Sequence, residues 1–171
     1  MKASVIVFTC LFALPVAAGA QGVNDAQIAS IVVTANQVDI DAGKLAQSTS
    51  ANAEVKVFAE RMINDHTAVN KSATELVAML KVPPQDNPTS QNLKAAGDKN
   101  LSHLKGLTGA QFDKAYAEHE ITYHQQVIDA LDKTLIPGAT NSELKALLVK
   151  VRPAFVAHLE HAKKLSLSLG K

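Results

Sequence analysis

"VKVFAERMINDHTAVNKSATELVAML", Val55 to Leu80, is the stretch whose reading decides the fold. Val55, Ala59, Met62, His66, Val69, Ala73, Leu76 and Leu80 recur in it at three- and four-residue steps. That is the stripe of an amphipathic helix facing a core. His66 occupies a slot that the pattern reserves for an apolar side chain. Pro83 and Pro84 stop the helix, and "STSAN" (Ser48 to Asn52) precedes it as a turn, with Asn52 or Ser50 as cap. The helix therefore runs from about Asn52 to Lys81.

Upstream, Ile28, Ile31, Ala35, Val38, Ala42 and Leu45 form the apolar face of a helix from about Asp25 to Gln47. Asn24 and Gln27 stand at capping-box spacing before it, and Gly43 in its interior marks a close helix contact. So short a link between two long helices implies an antiparallel hairpin. Downstream, "PPQDNPTS" leads into a shorter helical piece, about Thr89 to Lys105, with Pro88 suited to its first turn.

A third long helix spans about Ala110 to Leu135, with Thr108 and Gln111 at capping-box spacing. "IPGATN" ends it. Thr140 and Glu143 open a fourth helix that reaches nearly to Gly170, with Pro153 inside it and a kink expected near Val149. Two hairpins joined by a longer connector containing a short helix predict an all-α, ferritin-like four-helix bundle.

The chain opens with Lys2, the apolar run "ASVIVFTCLFALPVAA" and the small residues Ala18-Gly19-Ala20. That is a secretory signal pattern with cleavage expected after Ala20, leaving one domain over residues 21–171. Cys10, the only cysteine, lies in that leader, so the exported product has no disulfide. The whole chain carries 17 basic and 16 acidic residues, and removing Lys2 leaves 16 of each. No basic stripe suggests a nucleic-acid partner, and no membrane-spanning stretch follows the leader. Periplasm or secretion is the expected location.

Two more histidines sit on core stripes. Ala117, Ile121, His124, Ile128, Leu131 and Leu135 form one stripe; Leu144, Leu148, Val151, Phe155, His158, Ala162, Leu165 and Leu169 form another. Asp39 lies one step beside the stripe of the first helix, and Glu120 shares a face with His124. Each buried imidazole needs partners. Imidazole and carboxylate together suit a transition-metal ion such as zinc, copper or iron. The candidate ligands are His66, His124, His158, Asp39 and Glu120.

Height along the bundle tests that convergence. At 1.5 Å per residue, with turns near Ser50 and Pro137, His66 and Asp39 lie roughly 24 and 17 Å from theirs. His124 and His158 lie roughly 20 and 32 Å from theirs, a stagger that sets His158 against Tyr116, Ala117 and Glu120 instead. One mononuclear site requires the ring nitrogens to lie within about 8 Å of one another, since zinc–nitrogen bonds are about 2 Å.

Other constellations are weaker. His158 and His161 share a metal only if both point the same way. No glutamate is followed by histidine three residues on, so the di-iron carboxylate pattern is absent. No nucleophile constellation, phosphate-binding glycine loop or dinucleotide fingerprint occurs. Phe112, Tyr116, Tyr123 and Phe155 read as core packing, and His103 as a solvated side chain.

"VDIDAGKLA", "VKVFAERMINDHTAVN", "LTGAQFDKAYAEHEITYH" and "PAFVAHLEHAKKL" together resemble the DUF4142 family. The resemblance covers about Asp25 to Leu169, on Asp65 and His66, Phe112, Asp113 and Tyr116, His124, Pro153 and His158. It implies a ferritin-like fold and export, and no assigned activity. The family more often carries glutamate where this chain has Asp39.

Two functional readings follow. In the first, an exported bundle binds a metal ion or small ligand through inward-facing histidines. In the second, a non-catalytic envelope or stress-associated protein uses those histidines structurally or as pH-responsive groups. Metal-dependent redox chemistry is a third reading, and the residues name no catalytic group for it.

Overall fold

The structure is a computed structural model that describes residues 22–170. The leader, its expected cleavage after Ala20, and Cys10 lie outside the described residues. Among those residues there are five helices and no strand. They are α1 (Asp25–Thr49), α2 (Ala53–Leu80), α3 (Pro88–Lys105), α4 (Gly109–Ala130) and α5 (Ser142–Leu169). None is long and apolar enough to cross a membrane.

The caps largely follow the expected chemistry. Asn24 and Gln27 form a capping box on α1, Asn52 caps α2, and Pro88 opens α3 behind the cap Asn87. Ser50 instead ends α1, and its hydroxyl donates to Asp113. Thr108 stands at the start of α4 but makes no side-chain cap bond. The cap of α5 is Asn141, not Thr140. Thr140 and Asn141 are tied by their backbone N–H groups to the Asp25 carboxylate, which pins the start of α5 to the start of α1.

The third helix also ends later than the sequence suggested. Beyond Ala130 the chain continues through a π-helical stretch, Leu131–Leu135, and a last turn, Ile136–Gly138. Pro137 has no N–H for the carbonyl four residues back, and its ring crowds that carbonyl. The wider π register directly before it accommodates the mismatch, so the proline is carried rather than ending the helix. The connection to α5 is thus centred near Thr140. Pro153 likewise lies inside α5 without ending it.

Contacts between helices define their directions. Along α1 and α2, Gly43 meets Ile63, His66 meets Asn36, and Asn70 meets Val33, an antiparallel series. Arg61–His161, Asp65–His158 and Glu54–Ser168 make α2 and α5 antiparallel in the same way. Arg152 on α5 chelates Asp132 in the π-helical stretch that follows α4. The connector helix α3 packs outside, parallel to α1, from Asn87 beside Gln27 to Gly97 against Val38. It crosses along the side of α1.

Gly43 does mark a close contact, since a Cβ there would lie 3.2 Å from the Ala59 carbonyl oxygen. Gly97 is tighter: its Cβ would fall 2.7 and 2.8 Å from the two methyls of Val38. Valine is stiff at χ1 and cannot turn both methyls away. Gly97→Ala gains about 1 kcal/mol of helix propensity but overpacks by about 1–3 kcal/mol. The expected outcome is a net loss of about 1 kcal/mol in urea unfolding. Adding Val38→Ala should reverse the clash; a Gly97→Ala protein more stable than wild type contradicts this packing.

Two apolar clusters fill the interior. One gathers Ile28, Ile31, Ile128, Leu131, Leu144 and Leu148; the other gathers Val55, Phe58, Met62, Phe112, Tyr116 and Leu165. In chain order, the inward residues between these clusters are Asp39 on α1, His66 on α2, Glu120 and His124 on α4, and His158 on α5. All five are at most 1% exposed.

Candidate metal centre

The three histidine rings form a nearly equilateral triangle. Ring centroids are 5.6 Å apart for His66 and His124, 5.2 Å for His66 and His158, and 5.3 Å for His124 and His158. One nitrogen from each ring falls within 4.8 Å of the other two. The convergence follows from the turn near Thr140. Counting from there at 1.5 Å per residue, His124 and His158 lie roughly 24 and 27 Å away, nearly level.

Each ring is held from outside by its other nitrogen. His66 Nδ1 donates to Asn36 Oδ1 at 2.7 Å, and the Asn36 amide donates to the Val32 carbonyl at 2.7 Å. That second bond fixes which way the amide points. His124 Nδ1 donates to the Glu120 carbonyl oxygen at 2.9 Å, one turn back on its own helix. His158 Nε2 donates to Asp65 Oδ2 at 2.8 Å, and Arg61 Nε donates to the same oxygen at 3.3 Å. With those protons placed outward, neutral rings present lone pairs inward at His66 Nε2, His124 Nε2 and His158 Nδ1. Tying off the far nitrogen in this way orients a metal-ligating imidazole and raises its basicity.

The three inward nitrogens have no hydrogen-bond partner. Asp39 Oδ2 lies 2.9 Å from His66 Nε2 and 3.3 Å from His124 Nε2, yet neither contact has hydrogen-bond alignment. The two oxygens of Asp39 and the two of Glu120 also lack a donor. Leaving such buried groups unpaired costs about 1–3 kcal/mol each. Asp39, Glu120 and His124 form a second group of donor atoms within 4.8 Å of one another, sharing His124 with the first.

Electrostatics assign the protons. Burial alone would raise the Asp39 carboxyl, but His66 beside it, with His124 and His158 further out, brings it down to about 2. Burial, and then the Asp39 charge, push Glu120 well above the usual carboxylate range. The lowered Asp39 and the raised Glu120 divide the carboxyl pair into the group that ionises first and the group that keeps its proton longer. Burial lowers His124, against the pull of Asp39. Burial also lowers His158 to about 4, outweighing its bond to Asp65. Burial thus favours the neutral imidazole at His124 and His158, and with His66 and the Asp39 carboxylate they form a donor set that suits a cation. Tetrahedral bonds of about 2.1 Å place donors about 3.4 Å apart, so modest contraction brings these nitrogens onto one ion.

Phe155 packs 5.1 Å from His66, 6.1 Å from His124 and 6.0 Å from His158, covering the triangle. Tyr123 meets His124 edge-on, and its hydroxyl donates to the Ala35 carbonyl oxygen at 2.7 Å. His161 does not join His158: it packs against Phe58 at 5.0 Å and takes a contact from Arg61. His103 is exposed, as expected.

Residues 13–165 match the family described as "Domain of unknown function (DUF4142)". The chain belongs to that family. No curated protein and no solved structure matches the chain. In this DUF4142 protein the adjacent Asp65 and His66 are two outputs of one helix. His66 points into the triangle, while Asp65 reaches across to orient His158 on α5.

Asn36 is the site residue that the apolar stripes concealed. Its signal was a polar side chain three residues before Asp39, hence on nearly the same face of α1. Asn36→Leu keeps the bulk but removes the acceptor for His66 Nδ1, releasing the ring to its other tautomer. Loss of such an outer partner lowers metal affinity by about 10–100-fold. Competition titration against a chelator should read that drop with the helical spectrum unchanged; an unaltered affinity would remove Asn36 from the site.

Proposed function

We propose that this protein is an exported, single-domain, ferritin-like four-helix bundle that binds one transition-metal ion. The ligands are His66, His124 and His158 with Asp39, and Glu120 stands beside Asp39 as the acid that can join the coordination. Zinc, copper and iron are the ions the donor set suits. The single observation that carries this reading is the meeting of three inward imidazole nitrogens, each with its opposite nitrogen tied outward, beside a buried carboxylate.

The bundle description rests on α1, α2, α4 and α5 contributing every ligand while α3 passes outside as the crossover. Export rests on Lys2, the apolar run after it and Ala18-Gly19-Ala20. The two overlapping donor groups share His124, and a single centre that draws on both is the arrangement proposed. Metal analysis of protein purified without an affinity tag should give close to one ion per chain after loading and dialysis. Sub-stoichiometric metal, together with no thermal shift on adding zinc, copper or iron, would instead favour histidines that serve only the core.

A further inference from the structure

A cavity of about 210 Å³ opens between α1, α3 and α4 and runs inward to α2 and α5. Protein interiors ordinarily leave few voids larger than a water molecule. This one exceeds the roughly 150 Å³ apolar cavity that admits benzene or xenon in an engineered protein. Its walls are aliphatic, from Val32, Val69, Leu93, Val127 and Leu148. The π-helical stretch of the chain forms part of the wall through Leu131, Thr134 and Leu135, and such stretches recur at functional sites.

The polar groups are distributed in a way that selects the occupant. Thr89, Gln126 and Thr134 line the cavity and are exposed, so they form its rim. Deep inside, the polar side chains are Asn36 and Tyr123, and both are engaged. Tyr123 donates to the Ala35 carbonyl oxygen, while Asn36 donates to the Val32 carbonyl and accepts from His66. A hydrogen-bonding ligand would find little to answer it there, and an apolar one would leave no group unpaired.

We infer that this cavity is a binding site for a small apolar molecule, an aromatic ring or short alkyl chain of about benzene to toluene size. Any polar substituent of that molecule sits at the Thr89–Gln126–Thr134 rim. Asn36, Tyr123 and Phe155 form the inner end, so the occupant lies one side-chain layer from the histidine triangle. The inference stands apart from the metal reading and is tested on metal-free protein.

Toluene is the probe. Saturating toluene should raise the thermal midpoint of the wild type by several degrees and perturb methyl resonances of Val32, Leu93, Val127 and Leu148. Ala130 also lines the cavity, and Ala130→Phe fills it, so the toluene shift should disappear in that variant. If that variant does not fold, Leu93→Trp blocks the same space from α3. No shift in the wild type, an equal shift in the filled variant, or methyl perturbations elsewhere would overturn the assignment.

Discussion

His66→Ala is expected to abolish the thermal stabilisation that a bound metal gives the wild type. Free metal at 100 times its dissociation constant adds about 2.7 kcal/mol to a protein that binds it only when folded. For a domain of this size that is roughly 5–10 °C in the unfolding midpoint. His66 is the most connected residue of the proposed centre. Its ring lies within 5.6 Å of both other imidazole rings, its Nε2 is 2.9 Å from Asp39, and its Nδ1 is anchored on Asn36. His124→Ala should remove the same shift, and the double variant should lose nothing further. Alanine also leaves a void at a fully buried position, so both variants will melt lower without metal. The difference with and without metal separates the two effects. Lower melting with an undiminished metal shift would mean that the imidazoles serve only the core.

The second large effect is on pH dependence without metal. Burial holds His158 at about 4, below its unfolded value of 6.5. Between those values the unfolded chain binds more protons than the folded one, so His158 contributes stability that is lost as pH falls through that window. The loss is roughly 3 kcal/mol for this group alone. His124, lowered by burial, acts in the same direction. Asp39, held down at about 2, adds stability that is lost below the ordinary carboxylate range. Glu120, pushed upward, has the opposite sign: the folded protein keeps a proton that the unfolded chain surrenders, so it costs stability as pH rises.

These signs are separable by substitution. His158→Gln can still donate to Asp65 but does not titrate, so its stability should fall less than that of wild type between pH 6.5 and 4. Glu120→Gln should gain on wild type as pH rises and match it most closely in acid. Denaturant unfolding of the metal-free proteins at pH 4, 5.5 and 7 reads both. Parallel wild-type and His158→Gln profiles would contradict a neutral, buried His158.

The inward face of each long helix was legible because burial imposes a 3.6-residue period on apolar side chains. His66, His124 and His158 stood out as exceptions to that period, and all three are buried where the period places them. Whether they met was not legible, because that depends on where each turn is centred. Pro137 looks like a helix stop in sequence. In the structure the π-helical stretch before it carries the helix to Gly138, which moves the turn and removes most of the apparent stagger. Asp65 was legible as a neighbour of His66 but not as the partner of His158, since that contact joins residues 93 apart in the chain. Arg61 supports Asp65 from one turn back on the same helix, a local pair whose bearing on the site shows only once Asp65 is placed beside His158.

The most direct measurement of the central claim is anomalous diffraction from crystals of the protein loaded with zinc or cobalt. One peak per chain is predicted, about 2.0–2.2 Å from His66 Nε2, His124 Nε2 and His158 Nδ1, with an Asp39 oxygen completing the set. Density confined to exposed carboxylates and histidines, with the triangle empty in metal-saturated crystals, would contradict it.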